Sequence, residues 1–289
     1  MKNTKIIFTA LALLAMPVLL FAYDWPQPES ETNTVKSQFG QLRGSTISSS
    51  MIFSEKQEVK SCDKGKSIAV ISEHEDDFGW FESPLGTAII VEHGDKLCTV
   101  YANLDRNTIT DYQDVFTVSA GETLGTSGQS AWHNEGDYLE FKVFDTKSHT
   151  AVNPKILMPK SGREKVLDAG EITLEDKNGN KRNLLVERKI PSGTYFVYRK
   201  RNEIEMPFQT LIAVNGNTTE KISYETMTEK NGRLSIRGNS FYSSRDIYPD
   251  SVKQLLGTVQ FNKGQNTLSI TMVNLLGNQA AISYKLDIY

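Results

Sequence analysis

Four segments decide the fold: GTAIIVEHGDKLCTVYANL (residues 86–104), VSAGETLGTSGQ (118–129), GDYLEFKVFD (136–145) and VNP (152–154). The first and third are short apolar runs with β-branched and aromatic residues, bounded by Gly, Asp and Asn, which is a strand signal. In the third, Leu139, Phe141 and Val143 recur at period two, so Tyr138 and Glu140 share the opposite face. The second carries Gly121, Gly125 and Gly128. Glycine there supplies positive φ or lets backbone approach closely.

The pattern extends outward. From about Ser45 to Pro159 the chain is a series of short apolar runs, among them Ser67–Ile71, Thr87–Val91 and Leu97–Tyr101. No helix-period stretch of ten or more residues interrupts them. Residues 23–44 are polar and predict a linker or extended lead-in. Residues 161–170 are charged and predict a second linker. From residue 171 to 289 the chain is again strand and turn. Asp176–Asn180 and Glu229–Gly232 place Asn-Gly between strands, where both central residues of a tight hairpin need positive φ. Turns every 8–12 residues predict a β-sandwich. The chain is therefore expected to be all-β, with one domain over 45–160 and a second over 171–289.

Composition sets limits. At 289 residues a chain holds about two domains. Residues 1–22 have the layout of a secretory signal peptide, with Lys2 and Lys5, then an apolar run over Ile6–Phe21, then Ala22 at the cut. An uncleaved anchor helix is the alternative. Cleavage leaves 30 basic and 35 acidic residues, net −5. Such a chain lacks the basic face that nucleic acid requires. It is expected to be exported, to the periplasm or the cell surface, and to meet the membrane only transiently. An exported protein can form disulfides. Cys62 and Cys98 are a possible pair or two separate buried thiols. They lack zinc-ribbon spacing.

The four opening segments, in that order, resemble the core of the M23 (LytM/lysostaphin-type) zinc endopeptidases. There the corresponding motifs run H-G-x-x-x-x-T-x-Y-A-H-L, then V-x-x-G-x-x-I-G-x-x-G, then G-x-H-L-H-F-E-V, then N-P. The resemblance implies an M23 peptidase-like β-sheet core. It also implies where zinc chemistry would sit. A catalytic zinc takes about three protein ligands and keeps one position open for water, whose pKa it lowers. The family meets this with an early H-x-x-x-D pair and the second His of H-x-H. The first His of H-x-H and the His of Y-A-H-L act as catalytic partners. In this chain those positions carry Ser48 and Ile52 for the early pair, Asn103 for Y-A-H-L, and Tyr138 and Glu140 for H-x-H. His93 falls at a family turn that is not a ligand. His133 and the acidic run His74–Asp77 are the other places from which ligands could come. The closing run, with Gly264-Gln265-Asn266 and Gly277-Asn278, resembles bacterial Ig-like domains.

These substitutions imply a non-catalytic exported protein with no cofactor and no metal site. Its partner would be cell-wall peptidoglycan or an envelope protein such as a wall hydrolase. Ser48, Ile52, Asn103, Tyr138 and Glu140 would line a vestigial groove. The alternatives are an active zinc endopeptidase with a rebuilt site and a structural or adhesive surface protein.

Overall fold

The computed structural model describes residues 23–27, 35–72, 83–109, 115–131, 136–160, 164 and 166–289. The expected signal segment, the His74–Asp77 run and His133 lie outside them. The described residues are dominated by strands. In the first half these are β1 (Val35–Ser37), β2 (Leu42–Arg43), β3 (Thr46–Ile47), β4 (Met51–Phe53), β5 (Glu58–Lys60) and β6 (Gly65–Ile71). There follow β7 (Ala88–Glu92), β8 (Leu97–Ala102), β9 (Thr117–Val118), β10 (Thr123–Thr126), β11 (Leu139–Asp145) and β12 (Thr150–Val152). The second half contains β13 (Ile172–Asp176), β14 (Lys181–Asn183), β15 (Lys189–Ile190), β16 (Gly193–Lys200), β17 (Gln209–Val214) and β18 (Asn217–Lys230). It continues with β19 (Arg233–Arg237), β20 (Phe241–Ser243), the one-turn helix α1 (Ser244–Ile247), β21 (Lys253–Phe261), β22 (Gly264–Val273) and β23 (Gln279–Ile288).

Alternation along β11 builds the first core. Leu139, Phe141 and Val143 are fully buried on one face, with Met51 and Phe53 of β4, Tyr101 of β8 and Ile89 and Val91 of β7. The opposite face carries Glu140 and Lys142. Strands β4, β11, β8 and β7 pair antiparallel in a continuous register.

The second half is a two-sheet sandwich. The sheet β14-β13-β16-β21 faces β15-β23-β22-β17-β18. Between them lie Ile172, Leu174, Val197, Val259, Phe261, Ile212, Ile270 and Leu286. The Glu229–Gly232 hairpin forms as expected, with Asn231 and Gly232 both at positive φ, whereas in the Asp176–Asn180 turn only Gly179 adopts positive φ. Asn215-Gly216 makes the same turn between β17 and β18.

The halves are not separated in packing. The long strand β18 leaves the sandwich and pairs with β12, Val152 opposite Thr226 and Thr150 opposite Thr228. One sheet therefore runs across both halves. Tyr198, Met206, Ile222, Tyr224, Met227, Ile236, Tyr242 and Tyr248 from the second half join the core made by Phe39, Met51, Phe53 and Phe141. The described residues of the segment expected as a linker or extended lead-in pack against the rest. Tyr23 and Phe39 are buried, and β1 pairs with β4. The Tyr23 hydroxyl donates to Asp95 at 2.9 Å, and the Trp25 indole N–H donates to the Pro159 carbonyl at 3.0 Å. A stretch of polar composition concealed a few aromatic anchors whose partners are distant in sequence.

The cysteines are free thiols, both buried. The possible disulfide is absent for a geometric reason. The Tyr101 hydroxyl donates to Cys62 Sγ at 3.1 Å, so Cys62 lies on the Tyr101 side of β8. Cys98 is three residues from Tyr101 on the same strand, and alternation turns it to the other side. Burial pushes the Cys62 thiol up to about 12, so it is inert as a nucleophile at neutral pH.

Two outcomes are expected. The thiols should stay unreactive to a thiol reagent in the native protein, and both should react on denaturation. Gly40 has φ of +92°, and an added Cβ would lie 2.8 Å from Tyr224 Cδ1. Gly40→Ala should therefore cost about 2–3 kcal/mol of global stability, measured by denaturant unfolding. No loss would mean that the two halves do not meet there.

Candidate functional site

The groove lies on the face of the sheet opposite the first core. Ile52, Glu140, Ala102 and Ala88 form one row across it, each opposite the next on β4, β11, β8 and β7. Lys142, Val100 and Ile90 form the next row. Register thus brings together the residues expected at four of the five vestigial positions. Ile52 and Glu140 are direct cross-strand neighbours. Tyr138 immediately precedes β11, and Asn103 immediately follows β8.

Glu140 is the chemical centre. It is 3% exposed. Arg43 Nη1 lies 2.9 Å and Lys142 Nζ 3.0 Å from the same carboxylate oxygen, Oε1. Burial alone raises a carboxyl pKa; here Lys142 and then Arg43 outweigh it and hold Glu140 below the usual glutamate value. The carboxylate is ionised at neutral pH, and side chains of this chain supply the balancing positive charge. Arg43 stands on the short β2–β3 hairpin, where Arg43 pairs with Thr46. Sequence reasoning missed both cations. Period-two alternation from Glu140 points to Lys142. Nothing local points to Arg43, 97 positions upstream.

Asn103 is a strut. It is fully buried and holds φ of +63°, a conformation asparagine tolerates better than most residues. Its side-chain N–H groups donate to the Gly128 carbonyl and to the Tyr138 carbonyl, the latter at 2.7 Å. Its Oδ1 accepts from the Ala131 N–H at 2.7 Å. The amide ties the end of β8 to the 128–131 loop and to the start of β11. Gly128 is required there, since a Cβ would lie 2.7 Å from the Asp105 backbone nitrogen. Tyr138 is buried, and its N–H donates to the Gly128 carbonyl at 3.2 Å.

Ser48 is buried in the turn that leads into β4. Its hydroxyl bonds Ser50 at 3.1 Å and its backbone pairs with Gly40 and Gln41. His93 is structural, as expected of a turn residue. Its ring nitrogens bond the Lys64 carbonyl at 2.8 Å and Thr99 Oγ1 at 2.9 Å.

A catalytic zinc requires about three nitrogen, oxygen or sulfur ligands converging on one point. Of the residues at the vestigial positions, Ile52 has no donor atom, the Asn103 amide is spent on backbone, and the Glu140 carboxylate is covered by two cations. This arrangement does not fit zinc. Among the described residues no group of three His, Cys, Asp or Glu side chains could hold a metal ion. Beside the groove is an open cleft of about 390 Å³, lined by Lys56, Asp105, Arg106, Asn107, Gln129 and Asp137. Lys56 and Asp105 pair across it at 2.8 Å.

Glu140→Gln keeps the shape and removes the charge that two cations share. It should cost about 1–3 kcal/mol at pH 7, the lower part of the range for a buried pair because Arg43 and Lys142 are partly exposed. The native pKa lies below the unfolded value near 4.5. The charge therefore contributes fully above that pH and is lost as pH falls through the lowered native value. The gap between wild type and variant should shrink on acidification below about 4.5. A gap constant down to pH ~3 would mean that the pairing is not electrostatic.

Residues 49–154 match the model of Peptidase family M23, and a second family model matches residues 167–289. No curated protein matches the chain. Solved structures similar to it include a chain of the SpoIIIAH and SpoIIQ complex, at 20% identity over 47% of this chain and 99% of that one, with a TM-score of 0.35. LytU is 19% identical over 43% of this chain and 82% of its own, with a TM-score of 0.34. Lysostaphin is 15% identical over 88% and 89%, with a TM-score of 0.35. Residues 49–154 are an M23-like domain.

Proposed function

We propose that this is an exported, non-catalytic M23-like protein that binds in the cell envelope, as a scaffold or as a regulator of a wall hydrolase. One observation carries this reading: the carboxylate at the metal-ligand position is already neutralised by Arg43 and Lys142 at 2.9 and 3.0 Å. A metal would have to displace both cations and find its remaining ligands elsewhere. The groove residues instead serve packing, with Asn103 as a strut and Ile52 as an apolar floor. The scaffold is kept while the chemistry is gone, which is what a binding module needs.

Expected localisation and partner follow from the leader-like first 22 residues and the M23-like domain: periplasm or cell surface, with peptidoglycan or an envelope protein as ligand. Among the described residues no helix is long and apolar enough to cross a membrane. We read the second half as an Ig-like sandwich. With β13, β16 and β21 in one sheet and β23, β22 and β17 in the other, the order matches the A-B-E and G-F-C arrangement of that fold. Fold alone does not fix its partner.

The test is to incubate the protein, without residues 1–22, with purified peptidoglycan sacculi and with a partner wall hydrolase captured from envelope extract. The reading predicts no release of soluble wall fragments by the protein alone, with either sedimentation on sacculi or altered hydrolase activity. Fragment release that Glu140→Gln abolishes would return the protein to the peptidases. Self-assembly with neither effect would favour a structural surface protein.

A further inference from the structure

We propose that the second half sets the charge of the groove through residues 38–48, a latch that carries Arg43 to Glu140. This rests on reading the groove as a binding surface. Strands β2 and β3 pair only with each other among the described strands, as a separate two-stranded ribbon. Most of its anchors come from the second half, although Lys155 Nζ of the first half also donates to Gln38 Oε1 at 3.1 Å. Tyr248 Oη donates to the Gly40 carbonyl at 2.7 Å, and Ser244 Oγ to the Ser45 carbonyl at 2.8 Å. In the other direction, Gln38 Nε2 donates to the Ile204 carbonyl and Gln41 Nε2 to the Glu203 carbonyl, each at 2.9 Å. Gly40 sits against Tyr224 with no room for a side chain.

Between these anchors the ribbon projects Arg43, and Arg43 Nη1 reaches Glu140 Oε1 at 2.9 Å. Arg43 is thus a positioning residue for the groove, on a ribbon held mainly by contacts that belong to the other half. With Arg43 seated, the Arg43–Glu140–Lys142 cluster carries one net positive charge. With Arg43 withdrawn, Glu140 and Lys142 form a neutral pair. A partner that engages α1 or the 203–206 turn and loosens the ribbon would change the charge that the groove presents. By linkage, a groove ligand that prefers either state would act back on the second half.

The experiment needs neither ligand nor metal, so it fails or succeeds independently of the proposed function. The Ser244→Ala, Tyr248→Phe double variant removes two anchoring hydrogen bonds while keeping the Tyr248 ring in the core. Amide hydrogen exchange over 38–48 should rise about tenfold or more, with β8 and β11 as protected as in wild type. Modification of Arg43 by an arginine-selective dicarbonyl should accelerate in parallel. Unchanged exchange would show that these contacts do not hold the ribbon. Faster exchange with unchanged Arg43 reactivity would show that the ribbon does not deliver Arg43. Either result overturns the proposal. Ser244→Ala alone, at a partly exposed site, gives the same readouts if the double variant fails to fold.

Discussion

The structure depends on the alternation of one strand, β11. Seven residues divide between two environments. Leu139, Phe141 and Val143 fill the core that both halves share. Glu140 and Lys142 face the groove. A one-residue slip would exchange the two sets and place an ionised carboxylate among Tyr101, Met51 and Phe53, at a cost no pairing there could offset. Register on β11 is thus strongly specified, and β4 and β8 are aligned to it on either side. Core and groove cannot vary independently.

That constraint leaves a carboxylate in a place where the surrounding strands exclude water. A buried anion must be paired or neutralised. In a zinc peptidase a metal ion would provide the positive charge. Here Lys142, two residues along the same strand, and Arg43, from a separate ribbon, provide it. The solution is local electrostatics rather than chemistry. It makes the groove dependent on wherever Arg43 is anchored. Most of the anchors are in the second half, and so is β18, which extends the first half's sheet. The second half is part of the machinery of the first.

Much of this was legible in the residues. Period-two runs and Asn-Gly turns foretold strands and hairpins. The order of the four opening segments foretold the M23-like scaffold. What was hidden lay in long-range pairing. Residues 23–44 read as polar lead-in because Tyr23, Trp25 and Phe39 are few, although each is anchored far along the chain. Local composition also cannot report that β18 will cross into the other half's sheet. The cysteines sit on opposite sides of β8, a fact of strand parity once Tyr101 is known to touch Cys62. Arg43 had no local signal, since its role exists only through Glu140.

The most direct test is the metal content of the protein without residues 1–22, purified without chelator, equilibrated with excess zinc and desalted. A groove whose carboxylate is already neutralised should retain less than about 0.1 zinc per chain. About one zinc per chain, lost in Glu140→Ala, would contradict the account and restore the peptidase site.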